Sequence, residues 1–202
     1  MIDHILADVI STTRHALDDA LLQRQAVEER FQVDVFLGDV SWETSYSLPG
    51  EEQPPRVRAD ISIDWPTWSQ SSYRSWSIGE PAEDLPEIVV EITLRQQRLA
   101  STPELESILR CLPDESPPVG TDSLIRGGSV IEQAYDPGGN NPRYAVETSY
   151  QGTIRLEEGA LEDASQLADP IGNLARWVAS VLVRLGDLDL PYLPPDPTED
   201  TA

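Results

Sequence analysis

The chain has 202 residues and carries 36 acidic against 14 basic side chains, a formal net charge of −22 at pH 7. That length suits one domain, with or without an appendage, and the 39% apolar content fits a folded protein. A membrane-spanning helix, which needs about 18 consecutive apolar residues, is excluded; so is an internal disulfide, since Cys111 stands alone.

The start, Met1-Ile2-Asp3-His4, lacks the basic and apolar runs of a signal peptide, so none is expected. Every basic residue is Arg and there is no Lys. With a pI near 4.2 this fits a salt-loving host, where a dense carboxylate surface stays hydrated and salt screens its self-repulsion. A GC-rich genome gives the same Arg bias. Nonspecific nucleic-acid binding is disfavoured, because phosphate contacts need clustered cations. A protein past which DNA must slide without sticking suits such a charge.

Residues 2–29 read as an amphipathic helix, with Ile2, Ile5, Leu6, Val9, Ala16, Leu17, Ala20 and Leu21 at three- and four-residue spacing. Phe31–Leu37 alternates as a strand, and Trp42–Tyr46 makes a second short one. After a turn-rich stretch at Leu48–Pro55, Val57–Trp65 alternates again, and Pro66–Trp76 reads as a polar loop rich in aromatics. Ile88–Leu94 is the most apolar strand and is expected at the centre of the sheet. Pro103 opens a short helix through Cys111, which Pro113 stops.

Val130–Tyr135, the loop Asp136–Pro142 and Tyr144–Leu156 form an expected hairpin. A last helix covers Leu161–Leu185, broken near Pro170-Ile-Gly172, with Leu174, Trp177, Val178, Val181, Leu182 and Leu185 on one stripe. The order implies an α+β fold: a mostly antiparallel sheet covered by an N-terminal helix and a middle helix, with an extra C-terminal helix. Residues 1–156 form the α+β domain, 157–190 a helical extension, and 191–202 an acidic, Pro-rich tail expected to be extended or disordered.

Motifs for chemistry are few. His4 and His15 lie about three helical turns apart and cannot share an ion. One Cys gives no zinc spacing, and there is no G-x-S-x-G elbow and no phosphate-cradling Gly-rich loop. Cys111 reads as a small core residue. Asp60, Asp64 and Glu91 on neighbouring strands could in principle hold Mg²⁺. The stretch Pro86-Glu-Ile-Val-Val-Glu-Ile-Thr93 is similar to the PD-(D/E)xK nuclease-like Uma2 family, in which an apolar strand carries the metal-binding Glu. The lysine that resemblance requires two residues after Glu91 is Thr93 here, and the high pKa of Arg95 or Arg98 makes either a poor proton donor. A degenerate nuclease is therefore an alternative reading, and a cellular interaction or accessory domain without catalysis is another. No catalytic, metal-binding or cofactor-binding residue is assigned.

Trp65, Trp68, Tyr73 and Trp76 fall within twelve residues of a Ser-rich segment. They read either as a hairpin tip packed on the core or as a subunit contact, for which Trp and Tyr are favoured.

In element order and spacing, residues 1–156 resemble the tail terminator proteins of long-tailed (siphovirus-like) viruses, with neck and tail-completion proteins sharing the pattern. The matching elements are the helix from Ile2, the strand Ala59–Asp64, a polar loop into a long strand from Ser75-Trp76 through Ile88–Leu94, the helix from Pro103, and the final hairpin. The resemblance implies a non-enzymatic homo-oligomer, usually a hexameric ring, that caps the tail tube and joins it to the head connector. Genome DNA would pass through without specific binding. Its location would be the virion neck, and the host cytoplasm during assembly, with no membrane and no cofactor. Residues 65–76 would supply the interface.

Overall fold

The structure, a computed structural model, describes residues 2–22, 27–36, 39–48, 54–80, 84–135 and 142–194; the side chains of 2–7, 21, 22, 27–36 and 39 lie outside this description. The elements follow as α1 (Ile2–Leu22), β1 (Val27–Phe36), β2 (Asp39–Ser47), β3 (Val57–Trp65), α2 (Thr67–Ser77) and β4 (Glu87–Leu99). Then come α3 (Leu105–Leu109), β5 (Ile125–Tyr135), β6 (Pro142–Arg155), α4 (Glu158–Glu162), a 3₁₀ turn (Ala164–Leu167) and α5 (Ala168–Gly186). Six strands form one antiparallel sheet in the order β1-β2-β3-β4-β6-β5. This is the α+β architecture that the sequence implies.

Period-two patterning decides which face is covered. On β3, Val57, Ala59, Ile61, Ile63 and Trp65 are buried while the residues between them are half-exposed, and β4 repeats the pattern from Ile88 to Leu94. Trp42 and Tyr46 of β2 and Val146, Tyr150 and Ile154 of β6 extend the same apolar face. Against it packs α5, through Ile171, Leu174, Ala175, Val178, Val181, Leu182 and Leu185. Each such aliphatic side chain contributes about 1.5–3 kcal/mol by leaving water. α1 lies along α5, burying Val9, Leu17 and Ala20, and its Asp18 accepts from the Tyr46 hydroxyl at 3.2 Å.

The other face is polar. Ser41, Glu43 and Ser45 of β2, Asp60, Ser62 and Asp64 of β3, and Glu91, Thr93 and Arg95 of β4 follow one another across it in register. An antiparallel sheet can leave one face to water in this way.

Several expectations are corrected. α1 ends at Leu22, and β1 begins at Val27, so residues 27–29 are strand rather than helix. The segment after Trp65 is the helix α2 rather than a polar loop. Trp76 therefore ends a helix rather than starting the long strand, which runs instead from Glu87 to Leu99.

Pro170 does not break the last helix. It sits in the first turn of α5, where backbone N–H groups have no helical partner, and the chain before it folds separately as α4 and the 3₁₀ turn. Beyond residue 157, the expected helical extension, α5 contributes a large share of the buried cluster that it shares with the sheet. The start of the expected tail is held: Tyr192 bridges Leu99, and Ala100 N–H donates to Pro191 O at 2.8 Å. Residues 195–202 and the hairpin loop 136–141 lie outside the described residues.

Candidate functional site

The aromatic segment divides between core and surface. Trp65 is 0% exposed at the end of β3 and Tyr73 is 6% exposed, the two rings meeting edge-on at 5.8 Å. Burial raises the Tyr73 pKa. Trp76 is half-buried, stacked obliquely on Tyr73 at 5.7 Å. Only Trp68, at 49% exposure, presents its ring to solvent. Trp65 and Tyr73 are therefore corrected from interface to core. The cause is the helical spacing of Ser69, Gln70 and Tyr73, which turns one side of α2 inward.

A single hydroxyl fixes that helix. Ser69 Oγ, fully buried, accepts from Trp65 Nε1 at 3.0 Å and from Glu87 N–H at 2.7 Å, and donates to Glu87 O at 2.6 Å. Gln70 Nε2 donates to Trp65 O at 3.0 Å. The end of β3, the first turn of α2 and the start of β4 thus share one polar knot.

The carboxylates behave differently from a metal centre. Asp60 faces Thr93 across the β3–β4 ladder, and Glu91 faces Ser62, so Asp60, Asp64 and Glu91 occupy one face on diagonal positions. Asp60 is engaged already: Arg58 Nε and Nη2 donate to its Oδ2 at 3.1 and 2.9 Å, and Ser45 Oγ donates to its Oδ1. Ser62 Oγ donates to Asp64 at 3.3 Å, and Thr93 Oγ1 donates to Glu91 at 3.4 Å. Among the described residues no group of three His, Cys, Asp or Glu side chains is placed to hold a metal ion. His15 is exposed, its Nδ1 2.7 Å from Ser11 O; Cys111 is half-buried, with Sγ 3.8 Å from Ser107 O. His4 lies on α1, its side chain outside the described residues.

The feature missing from the sequence reading is the edge of the sheet. β5 is eleven residues long and outermost in the sheet; Glu115 bridges Ile125 and Arg126 N–H donates to Asp114 O at 2.9 Å at its base, and beyond them, among the described residues, it pairs with β6 alone. Val130 is 58% and Tyr135 62% exposed, and Ile125 and Ile131 are exposed as well, so apolar side chains emerge on both faces. The register slips between Arg126 and Ser129, where Gly127 and Gly128 form a bulge that re-aims the strand. Arg126 and Glu132 are its only charged residues. Natural edges are usually blunted by charge, proline, bulges or cover; here the bulge and the bonds to residues 114–115 protect the first part of the strand, and Ser129–Tyr135 carries Glu132 as its one charge. The Gly-Gly pair ahead of Val130-Ile131 was the available sequence signal. The order β4-β6-β5, which leaves β5 outermost, depends on long-range pairing.

Arg126 anchors the base of the strand, donating to Leu109 O, Leu112 O and the Asp114 carboxylate. Beside it Tyr150 donates to Pro113 O at 2.6 Å, and burial raises its pKa, partly offset by Arg126. The Tyr150 ring meets Trp177 edge-on at 4.9 Å, which fixes α5 to the sheet.

No family profile, curated protein or solved structure matches the chain. Among the described residues no helix is long and apolar enough to cross a membrane.

Proposed function

We propose that this chain is a non-catalytic structural protein that closes head-to-tail into a ring, acting as the tail terminator of a long-tailed virus with a halophilic host. In this reading the ring, of about six copies, caps the tail tube, contacts the head connector and lets genome DNA pass through. Its place would be the virion neck, reached from the host cytoplasm during assembly.

The observation that carries the reading is the open, apolar, nearly uncharged edge of β5. Among the described residues β1 and β5 are the outer strands of the sheet, and the outer row of β5 beyond the bulge offers a second copy a complementary backbone row without any new fold. Joining unlike edges is a heterologous contact, and such contacts close into rings when the rotation divides a full turn. Exposed Trp68 on α2 is a further contact of the kind rich in binding energy. The net charge of −22 supports the passive bore, since an acidic lining repels phosphate.

Negative-stain microscopy at molar salt tests this. Wild type is expected to give annular particles with a central hole. Val130→Lys with Tyr135→Lys, on exposed positions, is expected to keep the circular dichroism spectrum and give no rings. Rings unaffected by both substitutions would refute the role of β5.

A further inference from the structure

β4 outruns the strand that flanks it. Its ladder with β3 ends where Val57 meets Gln96, yet β4 continues to Leu99. The chain's own C-terminal segment takes over there. Tyr192 stands opposite Leu99 in antiparallel register, Ala100 N–H donates to Pro191 O at 2.8 Å, and Leu193 N–H donates to Arg98 O at 2.6 Å. On its other side Leu99 faces Tyr144 of β6, so residues 191–193 form a short strap in the place that β3 has vacated.

A second segment is tied to the same spot. Gln97 N–H donates to Arg56 O at 2.9 Å, and Gln97 Nε2 donates to Pro55 O at 2.6 Å. Arg98 spans both segments: Nη1 donates to Pro54 O at 3.1 Å and Nη2 to Leu193 O at 2.6 Å. The Arg56 guanidinium lies 5.2 Å from the centre of the Tyr192 ring, a further link between residues 54–56 and the strap.

The backbone under the strap is strained. The β4–β6 register shifts between Gln96 and Leu99, and within that irregularity Arg98 has φ of +64°, a left-handed conformation uncommon outside glycine. Such a conformation persists where surrounding bonds over-determine it, and here they run to Pro54 and Leu193. The strap itself is shallow. Leu190, Tyr192 and Leu193 are half-buried and Pro191 is exposed, whereas Leu182 and Leu185 at the end of α5 are buried. A segment with little buried apolar surface opens more readily than the core.

We propose that the strap is a latch on the end of β4: residues 54–56 and 190–193 release together, as one unit, while the rest of the sheet stays folded. Release relaxes the backbone at Arg98 and bares the Arg98 carbonyl and the Ala100 N–H. Those groups are a short acceptor row of the kind used in strand addition. Its occupant in the latched state is the chain's own Leu190-Pro-Tyr-Leu193. None of these residues belongs to β5, so the latch and ring closure are tested apart.

Native-state hydrogen exchange of the full chain reads the latch. The amides of Gln97, Ala100 and Leu193 are expected to exchange through one shared opening, about tenfold or more faster than those of Ile61 and Ile92 at the centre of the sheet. A disulfide supplies the decisive variant: Ala100→Cys with Pro191→Cys, on exposed residues that face each other in the ladder, in a Cys111→Ser background.

Locking the strap is expected to slow exchange at Leu193 about ten- to hundredfold and to slow Gln97, on the far side of Arg98, as well. Reduction of the same protein is expected to restore fast exchange at both, which separates the lock from any cost of the substitutions. Different opening free energies for Gln97 and Leu193 in the wild type would overturn the latch. So would exchange of all three amides together with the sheet centre, or a lock that slows Leu193 and leaves Gln97 unchanged. A cysteine pair that fails to oxidise would contradict the placement of the strap.

Discussion

At the scale of single residues, the hydroxyl of Ser69 joins two strands and a helix. Replacing it leaves Trp65 Nε1, Glu87 N–H and Glu87 O without their buried partner. Ser69→Ala is therefore expected to destabilise by about 2–3 kcal/mol, since an orphaned buried polar group costs about 1–3 kcal/mol and some relaxation is available. Urea denaturation checks it. A loss below about 0.5 kcal/mol would show that water replaces the hydroxyl. Tyr150 gives a pH dependence. Its pKa is raised by burial above the ordinary 10.0, so the unfolded chain gives up this proton first. The stability it contributes is complete below about pH 10 and is lost as pH climbs through the folded-state value. Tyr73, also raised by burial, acts in the same direction. Tyr150→Phe is expected to reduce the alkaline fall in stability, at the cost of about 1 kcal/mol for the hydrogen bond to Pro113 O. Denaturation at pH 9 and pH 11 measures both effects.

At the scale of elements, strands were legible and helix-to-strand boundaries were not. β3 was read to its residue limits because Val57 to Trp65 alternates without a fault and Pro66 ends it. α2 was misread because Ser69, Ser71, Ser72 and Ser77 make its sequence look like loop. In the folded chain three of those hydroxyls, on Ser71, Ser72 and Ser77, bond back to carbonyls three or four residues earlier, and that of Ser69 holds the β4 start. The stripe on α5 is legible, but the surface it packs on is left open by the sequence, because periodicity identifies a buried face and never its partner. β6 carries a comparable hidden constraint. A Cβ at Gly152 would meet Leu124 Cδ2 at 2.9 Å, Ser123 O at 3.0 Å and Leu124 Cα at 3.2 Å, and two of these three atoms are backbone. Gly152→Ala is expected to cost about 1–3 kcal/mol by overpacking, read as a lowered thermal midpoint. An unchanged midpoint would mean that residues 123–124 yield freely.

At the scale of the whole molecule, charge dominates. Thirty-six carboxylates on a chain with fourteen Arg repel one another at low salt, and several cations are committed locally, Arg58 to Asp60 and Arg155 to Glu87 among them. The screening length falls from about 10 Å at 0.1 M salt to about 3 Å at 1 M. The thermal midpoint is therefore expected to rise by several degrees between these conditions, whereas a midpoint that falls would remove the argument for a brine-adapted surface. Of the candidate site, the sequence exposed the residue types but not the geometry. Trp65 and Trp68 look equivalent in a string of letters, and only the helical turn between them sends one into the core. The β5 edge was not legible because its exposure follows from which strand β6 pairs with on its other side.

The central claim is ring closure, and the most direct measurement is the mass of the purified chain by light scattering at low and at molar salt. The account predicts a closed species of about six copies of the 22.4 kDa chain at molar salt, converted towards monomer by Val130→Lys with Tyr135→Lys. A single 22.4 kDa species at every salt concentration would contradict it.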